Sequence, residues 1–406
     1  MPLSPAASYR ILYHHRTQGR GGEGHHIVSI VNELRKLGHQ VDILSPAGVD
    51  PLALTEDAPV DKITKKSDNQ QSVGRFTVQR LWSLISRRAP LWVFELMEIA
   101  YNLPAAWRLR KQLKKHRYDF IYERYAFYLI AGGWLAKRHR IPFLLEANEV
   151  VGITDRARPQ QFTALSKAFE RYLFRCTNAL LPVSSYLSEL AQNHAPATLP
   201  VVVIPNAIDP AALADQTIAD IAPTLKDKIV IGFAGWFDNW DRLDLLVEVF
   251  TRLAATHPQL HLLLVGDGPG LSRVKEITRR RNLENRVTLT GSVPRSEVFH
   301  YLRLLDIALL PHSNKFGSPI ILFEFFGLKI PVVAPRLPPL EDVITSANNG
   351  LLFTPLDTTD CVRQVTRLLD DPPLRQQISE RAHQRLMERH TWQKNSLRII
   401  ETFETL

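Results

Sequence analysis

Cysteine is almost absent from this chain: Cys176 and Cys361 are the only two in 406 residues, and they stand far apart. That excludes a disulfide-stapled fold and fits a reducing compartment. No uninterrupted apolar run is long enough to span a bilayer, and no basic segment leads into an apolar core at the N-terminus. Neither a membrane anchor nor a signal peptide is therefore expected, and the protein is expected to be soluble and cytoplasmic. Internal repeats and low-complexity tracts are missing too. What is present is a globular composition, 45% apolar and 22% charged, in a length that suits two domains. The net charge of +9 points to an anionic partner: a nucleotide, a nucleic acid or a lipid surface. No recognition helix, RNP-type aromatic strand or zinc spacing accompanies the charge, so no nucleic-acid partner is expected.

The most informative stretch runs from His312 to Ala334. Gly317, Ser318 and Pro319 close a loop; Ser318 is expected to cap the helix that follows, with Pro319 at its first position. Gly327 is expected to end that helix before the strand Ile330–Ala334. A helix N-terminus beside a Gly-Ser loop suits phosphate, because its first N–H groups lack partners and its dipole favours negative charge. Glu324 sits among Phe323, Phe325 and Phe326. A carboxylate in so apolar a helix needs buried donors, and ribose hydroxyls are suitable ones. An ordinary buried helix–turn–strand is the plainer alternative.

The first half opens with a βαβ pattern: strand Tyr9–His14, a glycine loop over 15–24, helix His25–Leu37 and strand Val41–Ser45. A Gly-rich loop alone is weak evidence for a dinucleotide site. His14, His15, His25 and His26 match no common zinc pattern, so no metal site is expected. Residues 47–74 are polar and irregular. Residues 75–117 mix Trp82, Trp92, Phe94, Met97 and Trp107 with Arg75, Arg80, Arg87, Arg88, Arg108, Arg110, Lys111, Lys114 and Lys115. Rings beside clustered cations suit a peripheral membrane face; a helix core with a solvated basic face explains them equally well. Strands follow at Tyr118–Tyr122 and Pro142–Glu146. Arg124, Glu146, Asn148 and Glu149 stand at their carboxyl ends, where open α/β sheets place their sites. A structural pairing of Glu146 with a nearby arginine is the alternative for that residue.

Taken together, the His312–Ala334 stretch, Gly21-Gly22-Glu23-Gly24, the Tyr-Glu-Arg-Tyr and Leu-Glu-Ala-Asn strand ends, Ile204-Pro-Asn-Ala-Ile-Asp209 and Val265-Gly-Asp-Gly-Pro269 resemble the retaining family 4 glycosyltransferases of GT-B fold. The resemblance covers nearly the whole chain in order. It implies an α/β, GT-B architecture, two Rossmann-like domains facing across a cleft. These are an acceptor domain over 1–209, a linker over 210–227, a nucleotide-sugar donor domain over 228–390, and a C-terminal helix over 391–406 crossing back. It implies transfer of a hexose from a nucleotide-diphosphate sugar to a glycan or lipid-linked acceptor, with retention, in surface polysaccharide or glycolipid synthesis. No cofactor and no catalytic metal are expected, and peripheral contact with the inner face of the plasma membrane through 75–117 is. By the same resemblance Gly21, Gly22, Gly235, Gly268, Val293, Gly317, Ser318, Pro319, Ile320 and Glu324 bind the donor. Glu146, Asn148 and Arg242 carry the chemistry, and His26, Arg124 and Glu149 meet the acceptor.

The chain also departs from the family pattern. Phe316 stands where the first Glu of the family's Glu-x7-Glu motif falls. Trp236, Asp241 and Ile321 occupy positions that usually carry a cation for the donor phosphates. Arg242 is the one cation beside them. A degenerate GT-B subunit that binds or scaffolds a partner without catalysis is therefore the alternative function.

Overall fold

A computed structural model describes residues 7–18, 21–52, 90–153 and 160–406. The expected surface loop beyond Leu52, and Arg75, Arg80, Trp82, Arg87 and Arg88 of the aromatic-basic region, lie outside the described residues. The chain divides into two compact units. One holds residues up to Pro182 together with Leu187–Val203 and Ile400–Leu406; the other holds Val183–Tyr186 and Ile204–Ile399.

The first unit is built on a five-stranded parallel sheet: β1 (Arg10–His14), β2 (Gln40–Leu44), β3 (Phe120–Arg124), β4 (Phe143–Ala147) and β5 (Ala179–Pro182), in the order β2-β1-β3-β4-β5. β3, β4 and β5 are buried along their whole length, as the near-continuous apolar sequence of a two-sided parallel sheet requires. The polar exceptions, Glu123, Arg124 and Glu146, fall at the carboxyl ends. Register brings them together: His14 is opposite Glu123, and Arg124 is opposite Glu146. The C-terminal residues complete this unit, with the Phe403 ring 4.5 Å from that of Phe120 and Tyr9 donating to Glu404 at 2.8 Å.

The second unit carries a six-stranded parallel sheet: β6 (Ile229–Ala234), β7 (Leu260–Val265), β8 (Val287–Leu289), β9 (Ile307–Leu309), β10 (Val332–Pro335) and β11 (Leu351–Phe353), in the order β11-β10-β9-β6-β7-β8. One core runs from Val230 and Ile231 through Leu246, Phe250 and Phe323 to Leu386. Residues 210–227, expected as a linker, lie within this unit and hold two short 3₁₀ turns, Pro210–Leu213 and Ala222–Leu225. Val183–Tyr186 group here because their polar atoms do: Ser184 Oγ donates to the Phe316 carbonyl at 2.7 Å, and Ser185 N to Asp342 at 2.8 Å.

Three local expectations are corrected. The first helix starts at Gly21 and ends at Lys36, so Gly21 and Gly22 form its first turn rather than a loop; Glu23 in that turn complements the dipole. The helix after the Gly-Ser-Pro loop is Ile320–Gly327 with Pro319 as its cap residue, so Ser318 does not cap it. Gly327 is the last helical residue, and the left-handed residue that turns the chain is Lys329, with φ 58°.

Candidate functional site

In the first unit the candidate residues converge on Glu146. Arg124 Nη1 and Asn148 Nδ2 each donate to its Oε1 at 2.5 Å, Tyr122 OH donates to Oε2 at 2.8 Å, and His26 Nε2 lies 3.0 Å from Oε2. Burial alone raises the Glu146 carboxyl, but His26, Arg124 and the Tyr122 hydroxyl outweigh it and hold the group well below the usual carboxylate range. The anion is thus ionised, buried and saturated with donors. His26 comes from the first helix and Arg124 from β3. Glu149 follows in the half-buried loop after β4. That loop is held by a second buried carboxylate, Glu170, which accepts from Val151 N and Tyr125 OH at 2.7 Å each.

On neighbouring strands His14 Nδ1 and Glu123 Oε2 lie 2.5 Å apart, both fully buried. A Cβ at Gly132 would stand 1.7 Å from that same oxygen, so glycine is what makes room for the pair. His15 bonds Ser45 at 2.8 Å and its imidazole is lowered to about 4, by burial first and then by His14 and Arg124. Among the described residues no group of three His, Cys, Asp or Glu is placed to hold a metal ion.

In the second unit the Gly317–Ile320 segment is fixed from several sides. Ser318 Oγ accepts from Asn206 N at 3.0 Å, and the Ser318 carbonyl accepts from Asn206 Nδ2 at 2.6 Å. Asn314 Oδ1 accepts from Gly317 N at 2.5 Å, and the Phe316 carbonyl is taken by Ser184. The loop is thereby rigid up to the helix N-terminus at Ile320, whose first N–H groups have no helical acceptor. Ser318 serves the loop, through Asn206, rather than the helix. The sequence placed Asn206 within a family-like segment but gave neither it nor Ser184 a role; their signal was a short polar side chain at the end of an apolar run.

Glu324 is 1% exposed, and its sequence neighbours Phe323, Phe325 and Phe326 are fully buried. Its Oε1 accepts from Arg295 Nη2, while its Oε2 is buried with no hydrogen-bond partner among the described residues. Sequence reasoning did not single out Arg295, which starts the 3₁₀ turn Arg295–Glu297 shortly after β8. Val293 lies two residues before it, half-buried.

The remaining candidates surround the end of β6. Gly235 is exposed there, Trp236 is 64% exposed and Phe237 is fully buried. Gly268 (φ 149°) lets the next loop press against Phe237: a Cβ would meet Phe237 N at 2.7 Å. Asp241 and Asp238 form a reciprocal cap, with Asp238 N donating to Asp241 at 2.9 Å. Burial pushes the Asp241 carboxyl up to about 7, against that hydrogen bond. Arg242 is bidentate to Asp244, at 2.9 and 3.1 Å, so its charge is already matched locally. Trp236 and Asp241 put no cation at this strand end.

The model of glycosyltransferase family 4 matches residues 20–212, and that of glycosyl transferases group 1 matches residues 215–385. N-acetyl-α-D-glucosaminyl L-malate synthase of Bacillus anthracis is 29% identical over 45% of this chain and 45% of that protein, so the match spans less than half of the relative's length. Glycogen synthase of Mycobacterium tuberculosis is 23% identical over 92% of this chain and 88% of that protein. Among solved structures, HepE of Anabaena in complex with UDP shares the fold with a TM-score of 0.66 at 17% identity, covering 98% of this chain and 100% of that one. With two successive family models over most of its length and the doubly Rossmann-like fold throughout, the chain belongs to the GT-B glycosyltransferases of group 1 and family 4.

Proposed function

We propose that this protein transfers a hexose from a nucleotide-diphosphate sugar to an acceptor hydroxyl with retention of configuration, in the synthesis of a surface polysaccharide or glycolipid. The observation that carries the reading is Glu324, a buried carboxylate with one oxygen on Arg295 and the other awaiting a donor. Ribose hydroxyls are donors of the right kind, and a buried acceptor without one is costly by about 1–3 kcal/mol. That HepE of Anabaena was solved with UDP supports a nucleotide ligand for this fold.

In this reading the fixed Gly317–Ile320 segment offers the N–H groups of Ile320 and its successors to the donor phosphates. Gly235, Gly268 and Val293 bring backbone close to the nucleotide. The anomeric C–O bond to phosphate breaks as the acceptor oxygen bonds the same carbon. The acceptor proton passes to the leaving phosphate oxygen, so no strong protein base and no resident metal are needed. Arg242 supplies charge to the phosphates by exchanging Asp244 for them. Glu146, held ionised and saturated, is a weak base; it orients Arg124, His26 and Asn148 toward the acceptor, with Glu149 alongside.

The acceptor is a glycan or a lipid-linked sugar. The helix Asn102–Lys115 carries Arg108, Arg110, Lys111, Lys114 and Lys115 and no acid, and it exposes Leu103 and Trp107, at 77% and 66%. With Trp92 and Leu96 exposed on the preceding helix, this face suits an anionic lipid surface. Among the described residues no helix is long and apolar enough to cross a membrane. Phosphatidylglycerol vesicles should co-sediment the wild type at low salt and leave a Leu103→Ser/Trp107→Ser double variant in solution.

The deciding experiment is thermal denaturation with UDP, GDP, ADP, CMP and dTDP, for the wild type and Glu324→Ala. A nucleotide at a hundred times its dissociation constant stabilises by about 2.7 kcal/mol. One of the panel should raise the wild-type melting temperature and leave the variant unmoved. If none acts at millimolar concentration, the missing cations at Trp236 and Asp241 favour the non-catalytic, partner-binding subunit instead.

A further inference from the structure

We propose that Arg295 is the positioning residue for nucleotide recognition: it fixes the Glu324 carboxylate so that one oxygen is committed to the protein and the other is presented to a ribose. The chain thereby selects ribonucleotides over 2′-deoxyribonucleotides. The proposal rests on the reading of Glu324 as the ribose acceptor and names the residue that sets its geometry.

The helix Ile320–Gly327 is apolar apart from Glu324, and Phe323, Phe325 and Phe326 along it are fully buried. A carboxylate in such surroundings is costly to bury unless a cation or other donors face it. Arg295 is that cation. It arrives from the turn after β8, donates Nη2 to Oε1, and lies with its guanidinium 5.5 Å from the Phe299 ring centroid. The ring and the carboxylate hold a planar fork on both sides, so the carboxylate plane, and with it the direction of Oε2, is set. Arg295 is 35% exposed where Glu324 is 2% by side chain, so the guanidinium is the solvent-facing member of the pair. A vicinal diol brings two O–H donors to this place; a 2′-deoxyribose brings one fewer. A purely structural ion pair would support the fold without discriminating between the two sugars.

The test measures binding of UDP and dUDP, ADP and dADP, and GDP and dGDP by titration calorimetry, on the full chain and on Arg295→Lys and Arg295→Met. The wild type should bind the ribonucleotide about tenfold more tightly than its 2′-deoxy form, the loss expected for one buried hydrogen bond. Arg295→Met should bring that ratio close to one, and Arg295→Lys should recover part of it. A ratio unchanged or increased in Arg295→Met, or already near one in the wild type, overturns the proposal. Should Arg295→Met fail to fold by circular dichroism, Arg295→Lys decides: its ratio must fall below the wild-type value. A wild type that binds none of the six nucleotides sinks the nucleotide reading itself, whereas binding with an Arg295-independent ratio sinks only this role for Arg295.

Discussion

Glu146, at the carboxyl end of β4 in the first unit, and Glu324, in the helix before β10 in the second, are both buried carboxylates, yet their surroundings are opposite. Glu146 meets Arg124, Asn148, Tyr122 and His26. Glu324 meets Arg295 at one oxygen and nothing among the described residues at the other. The difference separates a carboxylate that organises its neighbours from one that is incomplete as the protein stands. A saturated buried anion fixes the side chains bonded to it; a half-satisfied one keeps an acceptor oxygen with no donor among the described residues.

The contrast predicts unequal costs for removing each arginine. Arg124→Met strands a fully enclosed charge and should lower stability by about 3–5 kcal/mol in urea denaturation. Arg295→Met should lower it by about 1 kcal/mol, because Arg295 is partly solvated and water screens the pair. Equal losses would break the comparison and make Glu324 another structural anion.

Two glycines extend the test from charge to space. Gly132→Ala drives a methyl into the Glu123 carboxylate, a side chain, while Gly268→Ala drives one into the backbone of Phe237 at a left-handed φ. Each should cost about 2–3 kcal/mol. Only Gly268→Ala should also abolish nucleotide-induced stabilisation, since the backbone it displaces belongs to the proposed donor loop. Loss of nucleotide binding in Gly132→Ala would show that the two units are not separable in this way.

The smallest expected effects are in pH. His15 has its imidazole depressed to about 4, chiefly by burial, so its contribution is whole above the ordinary value near 6.5 and is lost as pH falls toward about 4. Asp241 is the reverse: burial raises its carboxyl to about 7, so stability is whole near pH 4 and is lost as pH rises through about 7. Urea midpoints from pH 5 to 8 should therefore show Asp241→Asn gaining on the wild type by about 1–2 kcal/mol at the alkaline end and not at pH 5. His15→Asn should reduce the loss at the acid end. A gain for Asp241→Asn that is the same at every pH would mean that ionisation is not its cause.

Much of the architecture was legible in the residues. Apolar runs such as Leu262–Val265, joined by helices with three- and four-residue spacing, specify buried parallel strands, and the observed sheets are of that kind. The helix–strand stretch around Glu324 was likewise visible, because a single carboxylate among three phenylalanines is a local anomaly. Boundaries were less legible. The first helix reaches back to Gly21 because glycine, a poor helix former, is tolerated in a first turn whose N–H groups need no helical partner. Ser318 was misplaced as a cap because its hydroxyl has a better-placed donor in Asn206, more than a hundred residues away in sequence.

The sequence by itself determined the two doubly wound sheets, their carboxyl-terminal polar residues and the apolar helix around Glu324, since these follow from local periodicity and composition. Only the tertiary structure decided which of those polar residues are satisfied. Arg124 and Glu146 meet through strand register, His26 joins them from the first helix, and Arg295 reaches Glu324 from a turn beyond β8. Arg242, the cation the sequence offered for the phosphates, turns instead to Asp244. Hydrogen bonds and ion pairs form between groups brought within about 3 Å, and that distance depends on packing between elements distant in the chain.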